Sequence, residues 1–511
     1  MRGESWGLNL RQSKFNPEPN PVPTIVISAT RQVIDDTWLR TVREIYSLLC
    51  KENLSHVSVE IHDPQALDPP HTSPVQPDEE IYPKWDAVLA KILKRIELQD
   101  ILTIGCYRRG RSSDTSENPA TVLVMVDVNS RKLWKATRDT ITKILTDFSL
   151  PMVAVEIVKD MIILLDHREA GFKEEIQKSR AIPGGLISSL KYKYGSGTLG
   201  GFIELQDPKG AWFPFALTCF HVIDPADGDI VGSDDLEAIK KWRKEGIPYY
   251  QYKESPKEFA ILARNVKVSH PSRLAREEDE KSRHLIEITK ASSAFKHMSM
   301  LNDEGLLNDL SDTKKEAFRS FQEEIDEAQD NLDRTAAFFK QSKNVLGTVS
   351  AGSGYRTMQH YLKDGQKWPT EVDWAIVAVK IHWSISNRLD KKTILQNIAS
   401  EETFKDLKTC GDDGLEVEFQ GSTLRVAKVS PHTTTFRSLE WSICGTASNP
   451  DSPVEQGDSG SLIFRTVEKE VLGMLIAGSV HNKIGYFTRI DDLSNDILSQ
   501  TGATDIRMYG A

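Results

Sequence analysis

The stretch "VEQGDSGSLIF", residues 454–464, decides how this chain is read. A glycine, an aspartate, a serine and a second glycine lead directly into an apolar run. The pattern sets Ser459 on a tight bend just ahead of a strand. Taken alone, that is a turn with a hydroxyl in it. Serine is a poor nucleophile near neutral pH. It needs a base within hydrogen-bond reach, a group to orient the base, and N–H donors for the developing oxyanion. The reading therefore depends on whether a histidine and an aspartate stand upstream in matching contexts.

Both are present. "FALTCFHVI" brings His221 at the end of an apolar strand-like run, and "EVDWAIVAV" brings Asp373 at the opening of another. The order histidine, aspartate, serine is one of those in which such triads occur. His221 and Asp373 are 152 residues apart, and Asp373 and Ser459 are 86 apart. His270, His360 and His481 follow no comparable strand. Each residue has a plainer reading: a core histidine at a strand end, a turn aspartate, a turn serine. Their order and context together favour the triad.

The surroundings agree with a β-rich host. Beyond about residue 185, short apolar runs alternate with glycine turns, as in "GSGTLGGFIEL", "VLGTVSAGSGY" and "EVLGMLIAGSV". Frequent strands with turn signals between them predict an antiparallel barrel or sandwich. Residues 277–342 break this texture, being charged and helical. Phe318, Phe321, Ile325, Ala328 and Leu332 recur there at steps of three and four. That stripe predicts one arm of a helical hairpin inserted into the β domain, with packing as its ordinary role and partner binding as the alternative.

Residues 24–175 read differently. "TIVIS", an amphipathic helix after it, "HVSVEIH", "WDAVLAKILKRI", "ATVLVMVDV", a helix over 134–148 and "MVAVEIV" alternate strand and helix signals, and "MIILL" closes the set. They predict a compact α/β domain with a βαβ unit. It carries no P-loop and no GxGxxG after a strand. "CYRRGR", residues 106–111, reads first as a solvated loop and second as an anion site. Residues 1–23, rich in proline and polar groups, read as a disordered lead-in.

Length and charge set the remaining bounds. A chain of 511 residues exceeds one core and implies two to four domains. A net charge of −10 argues against a general nucleic-acid binder. No apolar run approaches the roughly 18 residues of a membrane span, and the N-terminus has no apolar signal segment. The five cysteines, Cys50, Cys106, Cys219, Cys410 and Cys444, are scattered and none sits in a CxxC pair. A reducing, cytoplasmic location follows as the expectation, with no disulfide framework and no structural zinc. No cluster of residues suggests a metal or an organic cofactor.

The motifs together resemble the trypsin/chymotrypsin-like serine peptidases. "GTLGGFIEL" resembles the barrel strand before the histidine, "LTCFHVI" the histidine segment, "VDWAIVAV" the aspartate strand and "GDSGSLIF" the serine elbow. "GMLIAG" and "GYFTRI" resemble the strands that wall the specificity pocket. The resemblance covers residues 182–499 apart from the insertion. It implies a multi-domain α+β protein, with an all-β chymotrypsin-like double β-barrel following the N-terminal α/β domain. It implies Ser459 as nucleophile, His221 as general base and then acid, and Asp373 as the group that fixes the imidazole. The N–H groups of Gly457 and Ser459 would form the oxyanion hole. Pro453 falls at the pocket floor, and Gly478 and Gly485 are the small wall residues, which suggests an apolar side chain ahead of the cut bond.

Departures from the family also carry meaning. Ser461 and Leu462 stand where glycine and proline are common, and Val222 and Glu455 stand where secreted relatives place bridging cysteines. "KSRAIPGGL", residues 178–186, resembles the family's activation segment. Cleavage after Arg180 would free Ala181, whose amine would pair with Asp458. Pro183 in place of valine favours an ordinary strand entry instead. The expectation is an intracellular serine endopeptidase acting on a protein or peptide substrate. The N-terminal domain or the insertion would receive a regulatory protein partner, with no nucleic acid and no membrane. The alternative is a latent or inactive trypsin-fold scaffold that signals through partner binding or self-cleavage.

Overall fold

A computed structural model describes residues 5–11, 21–30, 35–63, 70–112, 114–164, 180–181, 183–189, 196–225, 227, 230, 232–249, 267–269, 272–307, 311–361, 367–389, 402–403, 419–427, 436–444, 454, 457–464 and 471–510, some of them by backbone alone. They form a mixed α/β protein of two compact units. The first takes in residues 1–161, 444–451 and 479–482, and the second takes in 162–443, 452–478 and 483–511.

The first unit begins with β1 (Ser5–Arg11), β2 (Val22–Ser28), α1 (Thr37–Lys51) and β3 (Ser58–His62). β1 runs antiparallel to β2, and β2 parallel to β3 across the α1 connection. Part of the expected disordered lead-in is thus a strand. Trp6, Leu8 and Leu10 alternate along it with period two, which suits a strand face. Next come β4 (His71–Pro74), α2 (Trp85–Arg95), β5 (Ile101–Gly110), β6 (Ala120–Asp127), α3 (Lys135–Asp147) and β7 (Ala154–Asp160). β6 and β7 pair in parallel across α3, the expected βαβ unit. β6 is apolar nearly throughout and buried over Thr121–Val126, as a strand covered on both faces should be.

"CYRRGR" is not a loop over its first five residues, which end β5. Arg109 is buried, with Nε 2.6 Å from Glu156, and Arg108 lies 2.9 Å from Glu79. Carboxylates already answer both charges, so these two arginines make a structural network rather than an anion site. Asp160, fully buried, accepts the Ser479 hydroxyl at 2.7 Å.

The second unit holds the short strands β8 (Ile162–Leu164) and β9 (Arg180–Ala181), then β10 (Leu186–Ser189), β11 (Gly197–Thr198), β12 (Gly201–Gln206) and β13 (Trp212–Thr218). β8 pairs with the strand Val471–Ser479, so Ile162–Leu164 of "MIILL" falls in this unit, while Met161 falls in the first and Leu165 lies outside the described residues. A short apolar run carries no periodicity that would assign it. α4 (Phe220–Ile223) and α5 (Ser233–Glu245) follow, then β14 (Lys267–Ser269) and the helices α6 (Ser272–Ala291), α7 (Ser293–Asp303) and α8 (Asp312–Lys340). Over the described residues the two long helices α6 and α8 pack as the arms of the expected hairpin, linked where Thr289 donates to Glu324 at 3.3 Å, and the shorter α7 lies between them in sequence. Ser292 ends the α6 region and caps α7 by accepting the Phe295 N–H at 3.1 Å. Phe318, Ala328 and Leu332 of the predicted stripe are buried, and Phe295 meets Phe318 at 5.7 Å between centroids.

β15 (Val345–Gly352), β16 (Arg356–Tyr361), β17 (Lys367–Val372) and β18 (Ala375–Val379) come next. An antiparallel sheet of eight strands runs β11-β10-β14-β15-β18-β13-β12 and ends on the C-terminal strand Asp505–Met508. β18 sits inside it between β15 and β13, and its opening residues Ala375, Ile376 and Val377 are fully buried. A second group, Leu462–Phe464, Val471–Ser479, Gly485–Arg489, Phe436–Ile443 and Phe419–Ala427, pairs antiparallel in that order. The C-terminal helix Ile490–Thr501 begins with two acidic residues and ends on Gly502 at φ 68°, which suits its dipole and its left-handed cap. Among the described residues no helix is long and apolar enough to cross a membrane. Cys50, Cys106, Cys219 and Cys444 form no disulfide, and Cys410 lies outside the described residues.

Candidate active site

β13 ends at Thr218, and the chain turns at once into the single helical turn α4, which carries His221. Asp373 occupies the two-residue gap between β17 and β18. Because β13 and β18 are neighbours paired from Thr218↔Ala375, the two landmarks come side by side. The carboxylate grips the histidine twice. Asp373 Oδ2 bonds to His221 Nδ1, and Asp373 Oδ1 accepts the His221 backbone N–H at 3.1 Å. Both residues are buried, at 6% and 1% exposure. A carboxylate held against Nδ1 fixes which ring nitrogen bears the proton and leaves Nε2 the basic one.

Ser459 lies fully buried in the turn Gly457–Gly460 that precedes the strand Leu462–Phe464. The turn is tied to β11. Thr198 N–H donates to Ser459 O at 2.7 Å, and Thr198 Oγ1 donates to Gly457 O at 2.7 Å. Gly457 and Gly460 have φ of 95° and 94°, a region open to glycine and costly for other residues. At Gly197 the constraint is space. A Cβ there would lie 2.3 Å from Val222 Cγ2 and 2.8 Å from Ser459 O, so this one position separates the histidine turn from the serine turn. The Ser459 hydroxyl donates to Ile476 O at 3.2 Å, longer than the usual 2.7–2.8 Å for such a bond and therefore weak.

Groups far off in sequence support the histidine turn. Asp224 closes α4 and receives Arg243 Nε at 2.9 Å and the Tyr355 hydroxyl at 2.9 Å. The Tyr355 ring meets Phe220 edge-on at 5.1 Å. Burial pushes the Asp224 carboxyl up to about 6, against the pull of Arg243 and the Tyr355 hydroxyl. Burial and the Asp224 and Asp373 charges raise the Tyr355 phenol well above its ordinary value. Beside Asp373, the Trp374 indole donates to Asp496 at 2.7 Å, and Arg356 pairs with the same carboxylate oxygen at 2.6 Å. No local signal marks these groups, because each meets its partner only through the fold.

The other predicted residues fall as follows. Gly478 and Gly485 stand opposite one another across the strand pair Val471–Ser479 and Gly485–Arg489. A Cβ at Gly485 would lie 2.6 Å from Val454, 2.8 Å from Ile443 and 3.0 Å from Leu475. Val454 and Leu475 are buried there with Ile163, Ile443 and Ile463 against them. Pro453 lies outside the described residues. Arg180 and Ala181 pair in parallel with Ser384 and Ile385, and Ala181 is 1% exposed. Cleavage after Arg180 thus requires that this strand first be peeled away. Asp458 O accepts the Ser461 N–H at 2.9 Å, closing the serine turn.

One residue near the pair was missed. Cys219, fully buried, donates its thiol to Leu475 O at 3.3 Å. Its sulfur and the ligand atoms of His221 and Asp373 all lie within 4.8 Å of one another. The sequence reading finds no metal-ligand set because Asp373 reaches the C-F-H triplet only in space.

No model of a known protein family matches the chain. No curated protein matches it.

Proposed function

We propose that this chain is a serine endopeptidase of the trypsin/chymotrypsin type. In this reading the eight-stranded antiparallel sheet and the strand group around Leu462–Arg489 are the two halves of a double barrel. The observation that carries the reading is the buried His221–Asp373 pair beside a glycine-bounded serine turn. In this reading His221 is the base, Asp373 its orienter and Ser459 the nucleophile, drawn from three distant segments.

Ser459 Oγ attacks the carbonyl carbon of the scissile bond while its proton passes to His221 Nε2. Asp373 holds the Nδ1 proton and stabilises the imidazolium. The carbonyl oxygen takes up the negative charge and receives the N–H groups of Gly457 and Ser459. Collapse expels the amine, which leaves with the proton from His221. Water then attacks the acyl-enzyme by the same route and releases the acid. Peptide hydrolysis by this route needs no metal.

A latent form of the same site is the second reading. The Ser459 hydroxyl donates to Ile476 O, and Val454, Ile443 and Leu475 crowd the face of Gly485. Both features must give way for a substrate side chain to enter. Labelling with a fluorophosphonate probe tests the proposal without a known substrate. The wild type is expected to label and Ser459→Ala is not. Equal labelling of both overturns the assignment of the serine. Absence of labelling in the wild type favours the latent form.

A further inference from the structure

Peptide hydrolysis as proposed above gives Cys219 no role, yet its thiol sits against the two groups on which that chemistry depends. Sulfur, imidazole nitrogen and carboxylate oxygen are the donor types that zinc and similar borderline-soft divalent ions take. The three ligand atoms here lie within 4.8 Å of one another, and all three residues are buried. In a tetrahedral zinc site with bonds of about 2.0–2.3 Å, ligand atoms stand roughly 3.3–3.8 Å apart. To reach that spacing the thiol would have to close in and the His221–Asp373 pair to open.

We propose that Cys219, His221 and Asp373 form a site for a zinc-like divalent ion, and that the ion silences Ser459. The second half of this proposal rests on the peptidase reading and the first half does not. Charge favours the assignment. A divalent cation with one thiolate and one carboxylate leaves no net charge to bury, and neutral imidazole completes a three-residue set with one position open to water.

The protons balance. The Cys219 thiol loses its proton to solvent as the metal–sulfur bond forms. The imidazole gives up Nδ1 to the metal and keeps its one proton at Nε2. Asp373 exchanges an N–H for the ion. One proton is released per ion bound, so affinity rises with pH while the thiol is protonated. The consequence for catalysis is direct. A protonated Nε2 cannot accept the proton of Ser459, and the carboxylate no longer orients the ring.

The test uses the full chain in a Cys50→Ser background, since Cys50 is the exposed thiol among the described residues. Metal-free protein is titrated with Co2+ and read by absorption. The expected result is a near-ultraviolet thiolate-to-cobalt band that saturates at one ion per chain and is displaced by zinc. Cys219→Ala and the nearly isosteric Cys219→Ser are each expected to lack the band. In parallel, zinc is expected to slow fluorophosphonate labelling by roughly 100-fold, the lower end of what a general base supplies, with recovery on adding EDTA. A cobalt band of equal strength in both Cys219 variants, or no thiolate band at all, overturns the site. If the band forms but the metal-free protein never labels, the metal site stands and the peptidase reading falls. If the metal-free protein labels and shows no band, the peptidase reading stands and the metal site falls.

Discussion

Tyr355 donates its hydroxyl to Asp224 at 2.9 Å, three residues past His221, and so braces the turn on which the base stands. A hydrogen bond to a buried charged group contributes about 1.5–3 kcal/mol. Tyr355→Phe keeps the ring against Phe220 and removes only this bond. A loss of stability in that range is expected from urea denaturation. Fluorophosphonate labelling should slow as well, because the turn gains freedom. Unchanged stability means that the hydroxyl holds nothing.

The same carboxylate carries a pH signature. Burial raises Asp224 from 3.8 to about 6, so the folded state binds its proton more tightly than the unfolded chain does. Its contribution is most favourable below pH 3.8 and is lost as pH rises through about 6. The difference of 6 − 3.8 = 2.2 corresponds to about 3 kcal/mol. Stability of the wild type, measured relative to Asp224→Asn, is therefore expected to fall by about that much between acid and neutral pH. The comparison cancels the carboxylates that both proteins share. A flat difference across the range means that Asp224 does not titrate there.

Asp373 has its own support. The adjoining indole of Trp374 is fully buried and donates to Asp496, which also holds Arg356. Trp374→Phe leaves a smaller ring and an acceptor with one partner fewer. Combined packing and hydrogen-bond loss of about 2–4 kcal/mol is expected. A double-mutant cycle with Arg356→Met reads whether the two donors act as one network. Additive losses would mean that they act separately.

What was legible in the sequence is what chain-local landmarks mark. His221 follows an apolar run, Asp373 precedes one, and Ser459 sits between glycines, so each stands out where it lies. The mixed architecture and the βαβ unit over 120–160 were legible for the same reason, since hydrophobic period changes where the element changes. Arg243, Tyr355, Asp496 and Cys219 were not legible. Asp496 meets Trp374 across 122 positions, and no spacing rule spans that distance. The strand Ser5–Arg11 was missed because the prolines that follow it outweigh a short alternation of Trp6, Leu8 and Leu10. The short helix α7 between the two arms of the insertion was not legible, because a single capping bond at Ser292 is all that sets it off from α6.

Gly460 makes the sharpest test of the serine turn. At φ 94° it holds a conformation that other residues adopt only with strain of about 1–3 kcal/mol. Space adds to this. A Cβ there would lie 2.4 Å from Thr198 O and 2.7 Å from Thr218 Oγ1, and backbone cannot step aside as a flexible side chain can. Gly460→Ala is therefore expected to move the turn away from β11 and with it the carbonyl of Ser459, which accepts the Thr198 N–H. Labelling of Ser459 should be lost, and thermal denaturation should begin earlier. Gly210, also at positive φ but with open space around the missing Cβ, supplies the control. Gly210→Ala carries the strain without the clash, lies in the β12–β13 turn, and should label like the wild type. Equal effects at both glycines would mean that strain alone decides the outcome, and that the close approach of the serine turn to β11 does not matter.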